Sequence, residues 1–233
     1  DHVDAQLGRV VHAWDRFAAS RKRPDLACYL SDHGDQIGAK GQWGKMTFYE
    51  PSARIPFVFA GGSVTNHGSI RAPASIMDLG PTLCDLGRAP KPPSQDGINQ
   101  APVFRGDAPL ESRSVVSELL EPSVAADRRP VPARMIRRGD WKYVSYAGFE
   151  EHDLLFNLSS DPEERINLRE ANPTIAAALS EELGRGWDPQ AIVEDHERRE
   201  AHRAILSAWG AAVPVPEPDR WPVPKSSWEL PRP

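Results

Sequence analysis

The chain has 233 residues, 39% hydrophobic and 26% charged, the balance of a globular protein with enough apolar material to bury a core. A formal net charge of -5 at pH 7 argues against a general nucleic-acid binder and leaves room for a local basic site aimed at an anion. The two cysteines, Cys28 and Cys84, sit in apolar patterns as buried free thiols rather than a disulfide scaffold. No apolar run approaches the ~18 residues of a membrane span.

In chain order, Val3, Leu7, Val10, Val11, Trp14, Phe17 and Ala18 recur at helical spacing and predict a packing helix over residues 3–19, ended by Arg21-Lys22-Arg23-Pro24. With no methionine and no charged-then-apolar leader at its beginning, the natural start is expected upstream. The short apolar run 26–30, bounded by Pro24 and Gly34, suits a buried strand of a parallel sheet. Its carboxyl end carries Asp32, His33 and Gly34, the position where open α/β sheets place their ligand crevice. Asp32 and His33 can both ligate a metal, and the plainer alternative is a pair of hydrogen-bonded loop residues. Gly38, Gly41 and Gly44 let the loop bend back, so that Lys45 approaches the same point as a mobile cation.

Residues 55–60 predict the next buried strand, with Pro56 near its start and Gly61-Gly62 as its stop. Glu50 and Arg54 read as a structural ion pair tying the Lys45 segment to that strand, in preference to residues of the site itself, and His67 reads as a loop residue in preference to a substrate contact. Asp78 reads as the N-cap of a helix over 79–86, in preference to a metal role, with Pro81 in the first turn and Gly87 as the stop. From Gly106 onward the pattern becomes short strands at 114–119, 134–137 and 141–146, the last two forming a hairpin across Arg138-Gly139-Asp140. Residues 154–157 add a strand, and Pro173 opens a helix reaching about 183. A last helix over 189–211 has a densely charged middle that reads as a solvated face. Many of the 23 prolines fall in 90–93, 122–132 and from 214 onward, marking loops and an extended tail. Trp221 and Trp228 are too apolar for a free tail and need a surface to pack on.

The string Ser31-Asp32-His33-Gly34-Asp35-Gln36-Ile37-Gly38, then Gly41-Gln42-Trp43-Gly44-Lys45-Met46-Thr47-Phe48-Tyr49-Glu50, then Ser52-Ala53-Arg54-Ile55-Pro56-Phe57, resembles the second metal-binding motif of the sulfatases in the alkaline phosphatase superfamily. Phe156-Asn157-Leu158, followed by Asp161-Pro162-Glu163 and Asn167-Leu168, is similar to the C-terminal signature of those enzymes, choline-sulfatase-like members among them. The resemblance implies an α/β fold: the C-terminal part of an alkaline-phosphatase-like sandwich in residues 1–105, a small antiparallel subdomain with a packed helix in 106–188, and a C-terminal helix with a proline-rich tail in 189–233. It also implies a sulfuric ester hydrolase acting on a small-molecule sulfate ester. Asp32 and His33 would be ligands of a divalent metal, usually calcium, and Lys45 the catalytic residue that contacts sulfate.

Calcium takes about six to eight mostly oxygen ligands, so this pair is part of a set. In the family the remaining ligands precede this region. So does the nucleophile, a formylglycine made from the cysteine of Cys-x-Pro-x-Arg. Cys84-Asp85-Leu86-Gly87-Arg88 has the cysteine and arginine but not the proline, and Lys40 stands where histidine is common in the family. The resemblance therefore implies a C-terminal portion that is inactive alone, with a tail that supports a homo-oligomer. The rival readings are a phosphonate monoester or phosphodiester hydrolase of the same superfamily, and a non-catalytic sulfatase-like binding or assembly domain.

Overall fold

The computed structural model describes residues 2–22, 25–62, 64–66, 68–91, 93–108, 113–121 and 130–213. His67 and the Trp221 to Pro233 tail lie outside the described residues, as does most of the proline-rich stretch after Glu121. The chain divides into two compact units at Trp187/Asp188.

The first unit begins with helix α1, His2–Arg21. Its apolar stripe was expected to pack, but Val3, Val10, Trp14 and Phe17 are exposed, and Ala18 is the buried residue of the helix. Periodicity records which face is apolar, and among the described residues nothing covers most of that face. Strand β1, Ala27–Leu30, pairs with strand β2, Phe57–Ala60, in register from Ala27 opposite Ala60 to Leu30 opposite Phe57. The pairing is antiparallel, which corrects the expectation of a parallel sheet. The physical reason is in the connection. It carries no crossover helix and folds back on itself: Gly34 N–H donates to Ser52 O, Gln36 N–H to Gly44 O and Gly38 N–H to Gln42 O, each at 2.8 Å. Neither strand is buried throughout. In β2, Phe57 and Phe59 turn inward while Val58 and Ala60 are exposed, the alternation of a sheet covered on one face.

Helix α2, Glu50–Ala53, closes the connection, and helix α3, Leu79–Leu86, follows β2. Asp78 does not cap α3 through its side chain, contrary to the sequence expectation. It is fully buried and accepts hydrogen bonds from Ile98 N–H at 2.9 Å, Ser75 N–H at 3.1 Å and Gln100 Nε2 at 3.2 Å, and it pairs with Arg113. An N-cap aspartate and a buried hub look alike in sequence, and the distant donors decide which it becomes. Helix α4, Ala101–Arg105, packs near α3, and Phe104 lies against Phe59 with ring centroids 4.4 Å apart. Cys28 and Cys84 are free but only half-buried; partial burial pushes the Cys28 thiol up from its ordinary value.

Strands β3 (Ser114–Glu121), β4 (Val131–Arg138), β5 (Trp141–Tyr146) and β6 (Leu154–Asn157) form an antiparallel four-stranded sheet in that spatial order. The β4–β5 hairpin turns at Gly139-Asp140, where Gly139 supplies a φ of 57°. Helix α5, Pro173–Gly184, covers one face: Ile136, Tyr143 and Leu155 bury against Ala176, Leu179 and Leu183. On the other face Ala133, Met135 and Val144 bury against Phe48, which belongs to the β1–β2 connection. Because side chains alternate along a strand, Lys142 shares that second face with Val144. Lys142 is fully buried there and pairs with Glu164 Oε1 at 2.7 Å and Glu50 Oε1 at 2.9 Å. On the α5 side, Asp153 collects Tyr143 OH at 2.5 Å, Ser145 Oγ at 3.2 Å and Tyr146 N–H at 3.2 Å.

The second unit contains helix α6, Pro189–Ala212, capped by the Asp188 carboxylate on Ala191 N–H at 3.0 Å. Its middle carries Asp195 between Arg198 and Arg199 and a Glu200–Arg203 pair, and Ile205, Leu206 and Trp209 are exposed.

Two outcomes test this packing. Lys142→Ala leaves the Glu164 carboxylate buried without its cation, and loss of one partner of a buried pair costs about 3–5 kcal/mol. Urea unfolding of the 233-residue chain should register a drop of that order. Burial and the Asp153 hydrogen bond push the Tyr143 hydroxyl up to about 12. Its folded value lies above the unfolded one near 10, so its contribution is complete below about pH 10 and lost as pH rises toward 12. The melting-temperature advantage of the native chain over Tyr143→Phe should therefore hold to pH 9 and shrink above pH 10.

Candidate functional site

Strand β1 ends at Leu30, and the next residues place the Asp32 carboxylate and the His33 imidazole at its carboxyl end. The Asp32 carboxylate accepts His33 N–H at 3.0 Å, and its other oxygen lies 3.4 Å from His33 Nε2. His33 Nδ1 is 2.7 Å from Gly34 O, an atom that only accepts, so Nδ1 carries the hydrogen. Nε2 is thereby left as the lone-pair nitrogen, and Lys45 Nζ stands 2.7 Å from it. The structure thus brings Asp32, His33 and Lys45 to one exposed point. Desolvation raises the Asp32 carboxyl, but hydrogen bonds from the Asp32 and His33 backbone, together with the nearby Lys45 ammonium, outweigh it and hold the group below its ordinary value. A carboxylate, an imidazole nitrogen and a primary ammonium in contact are suited to holding a divalent cation and an anion side by side.

The loop that delivers Lys45 is shaped by backbone contacts. Gly34 must be glycine, because a Cβ there would sit 2.0 Å from Pro51 O. Gly38 and Gly44 each take φ of 88°, which lets the strand-like hydrogen bonds of the loop close. The Lys45 carbonyl is held by Ser52 Oγ and by Thr47 N–H at 2.9 Å. Gln36 is buried and donates to Thr47 Oγ1, while its own Oε1 has no partner among the described residues. Ile37 and Trp43, at the turn of the loop, are exposed.

Sequence reasoning missed the residues that anchor this loop from the far side. Glu164 accepts Glu50 N–H on Oε2 at 2.7 Å, pairs with Lys142 through Oε1, and through its carbonyl accepts Lys40 Nζ at 2.5 Å. Glu50 therefore pairs with Lys142, not with Arg54 as expected, and ties the Lys45 segment to β5 rather than to β2. Lys40 lies over the Tyr49 ring at 5.2 Å and points into this anchor. The available signal was Glu164 itself, an acid beside Asp161-Pro162 in the signature. Its exposed neighbour Glu163 pairs with Arg165. Asn157 builds a turn, its Oδ1 accepting Ser159 N–H at 3.1 Å, whereas Asn167 Oδ1 accepts Leu155 N–H at 3.0 Å and ties the later segment to β6.

Asp32 and His33 fit two positions of a divalent-cation site, with the Gly34 carbonyl orienting the ring as such ligands require. Among the described residues no group of three or more His, Cys, Asp or Glu could hold a metal, so the pair does not by itself make up a metal site.

Comparison with known proteins supplies the family. Residues 38–186 match the C-terminal family of N-sulphoglucosamine sulphohydrolase. The chain is 34% identical over 226 residues to a choline-sulfatase of Rhizobium meliloti (strain 1021), covering 95% of this chain and 39% of that protein. It is 28% identical over 186 residues to arylsulfatase K of Homo sapiens, covering 78% of this chain and 34% of that protein. Among solved structures, the phosphonate monoester hydrolase of Agrobacterium radiobacter superposes with a TM-score of 0.63 at 27% identity, over 78% of this chain and 38% of that one. A 2-O GAG sulfatase superposes with a TM-score of 0.57 at 29% identity, over 77% of this chain and 38% of that one. The described strands and helices are thus the C-terminal part of an alkaline-phosphatase-like α/β fold. The chain spans about two fifths of the length of the relatives it matches, and it belongs to the sulfatase family, as a C-terminal portion of one of its members.

Proposed function

We propose that the full-length protein hydrolyses a sulfate ester of a small molecule, and that this portion supplies two metal ligands, Asp32 and His33, and the sulfate contact, Lys45. The observation that carries the reading is the convergence of these three side chains beyond β1, with Lys45 Nζ 2.7 Å from His33 Nε2. Sulfuryl transfer places negative charge on the sulfuryl oxygens in the transition state, so cationic donors fixed at those oxygens lower the barrier. A bound divalent cation, calcium in this reading, supplies Lewis-acid stabilisation of the same charge. Asp32 and His33 Nε2 are its holders here, and the missing ligands belong to the upstream part of the protein. Lys45 and the cation are both partners for the Nε2 lone pair. With the Nε2 lone pair given to a metal, the Lys45 ammonium would be left to donate to a sulfate oxygen.

The nucleophile in this reading is a formylglycine in the upstream sequence, whose hydrated form offers a hydroxyl to the sulfur. Residues 1–105 are the end of the catalytic domain, 106–188 the small subdomain, and 189–233 a helix and tail through which a homo-oligomer assembles. A second reading, hydrolysis of a phosphonate monoester or phosphodiester, draws on the Agrobacterium radiobacter likeness. The two differ in which ester the same cationic site turns over faster.

The test uses the full-length protein with aryl and alkyl sulfates beside matched phosphonate monoesters. Lys45→Ala and Asp32→Asn should each lower kcat/KM for the sulfate by about 10²- to 10³-fold, the loss typical of one transition-state donor. A phosphonate turned over faster than every sulfate would replace the first reading by the second. Unchanged sulfate turnover in Lys45→Ala would remove Lys45 from the site. The 233-residue chain by itself should show neither turnover nor tight one-to-one calcium binding by calorimetry.

A further inference from the structure

We propose that Glu164 is a positioning residue for Lys45, a single side chain in the turn after β6 that holds both flanks of the loop carrying the lysine. The proposal rests on the reading of Lys45 as the sulfate contact. Lys40 and Glu50 bracket Lys45 in sequence, and both end on Glu164. Its carbonyl accepts Lys40 Nζ at 2.5 Å, and its carboxylate accepts Glu50 N–H at 2.7 Å. The second carboxylate oxygen is neutralised by Lys142 at 2.7 Å, with both side chains almost wholly buried. A carboxylate in that position meets a fixed donor on every side and has little freedom to move.

The turn is built to keep Glu164 there. Its φ is 56°, a left-handed conformation that costs a non-glycine residue free energy and persists only where surrounding contacts over-determine it. Those contacts are its own N–H donating to Asp161 O at 3.1 Å and Ile166 N–H donating to the Asp161 carboxylate at 2.9 Å. Glu164 makes no hydrogen bond or ion pair with Asp32, His33 or Lys45, so its effect on them is carried by the loop. Between the two anchored flanks, Ser52 Oγ and Thr47 N–H fix the Lys45 carbonyl, leaving the lysine side chain as the movable part.

A displacement of about 1 Å in a reacting group can cost about 10²-fold in rate, which sets the expected scale. In the full-length enzyme Glu164→Ala should lower kcat/KM for a sulfate ester by about that factor, mainly in kcat. Glu164→Gln keeps an acceptor for Glu50 N–H and should recover part of the loss. Lys40→Met cuts only the exposed flank, and it should lower kcat without lowering the melting temperature. The decisive measurement is the cycle with Lys45→Ala, because a residue acting through Lys45 has no effect once the lysine is gone. Lys45→Ala with Glu164→Ala, and Lys45→Ala with Lys40→Met, should each be as slow as Lys45→Ala alone. Amide hydrogen exchange over residues 36–48 should quicken in Lys40→Met and in Glu164→Gln.

Wild-type kcat/KM in both of those single variants would overturn the proposal while leaving the role of Lys45 intact. Losses that multiply with Lys45→Ala would overturn it as well, by showing that Glu164 acts on general stability. Should Glu164→Ala fail to fold, the Lys40→Met cycle and the Gln variant decide. Full turnover by Lys45→Ala would overturn both this proposal and the reading on which it rests.

Discussion

The buried ammonium of Lys142 between Glu164 and Glu50 is the constraint on which the rest of the first unit depends. A lysine in the middle of a strand, facing a core of Val144, Met135 and Phe48, is tolerable only when its charge is met, and the two carboxylates come from different parts of the chain. Glu164 arrives on the turn after β6 and Glu50 at the start of α2. Satisfying Lys142 therefore fixes where the β1–β2 connection lies on the sheet. A hydrophobic residue of similar volume at this position could be as stable, since buried pairs often contribute little net stability. What the pair adds is register: Glu50 N–H and the Glu50 carboxylate both have to meet the network, so the connection cannot slide along β5.

That fixed register is transmitted to the site by short backbone links. Phe48 anchors the loop in the apolar face, and Ser52 and Thr47 hold the Lys45 carbonyl. Gly34 N–H donates to Ser52 O, so the Asp32-His33 segment is referenced to the residue that also holds Lys45. Asp32, His33 and Lys45 therefore share one backbone frame although they come from opposite arms of a long hairpin. Asp32 and Lys45 are exposed there, and His33 is half-buried.

Local signals were legible in the sequence where a single element decides the outcome. The Gly139 turn, the strand Leu154–Asn157, the Pro173 helix start and the helix Leu79–Leu86 follow from turn residues, apolar patterning and the placing of proline and glycine. The segment carrying Asp32, His33 and Lys45 was recognisable as a motif, and its glycines explain how the chain can double back. The sense of the β1–β2 pairing was not legible, because an apolar run of that length fits either direction and the loop hydrogen bonds decide. The burial of the α1 stripe was not legible either, since a face's polarity does not say whether anything covers it. Asp78 and Glu50 were assigned to near neighbours in sequence, whereas their partners, Arg113 and Lys142, are far away along the chain. Long-range ion pairs leave no local periodicity.

Of the six described non-glycine residues with positive φ, three gather at this loop and its anchor. Ile37, Lys40 and Glu164 all have positive φ, at 45°, 57° and 56°, and all three belong to the loop or its anchor. For Lys40 and Glu164 the compensation is visible: each makes a hydrogen bond that the left-handed backbone helps aim, and the two are partners of one another. For Ile37, a β-branched residue for which this conformation is a true outlier, the local return is an N–H donated to Asp35 Oδ1 at 2.9 Å. Its side chain stays in solvent, so packing does not repay the strain. The loop thus trades conformational ease for a fold-back tight enough to bring Gly44 against Gln36, and this places Lys45 beside His33 rather than further along the surface.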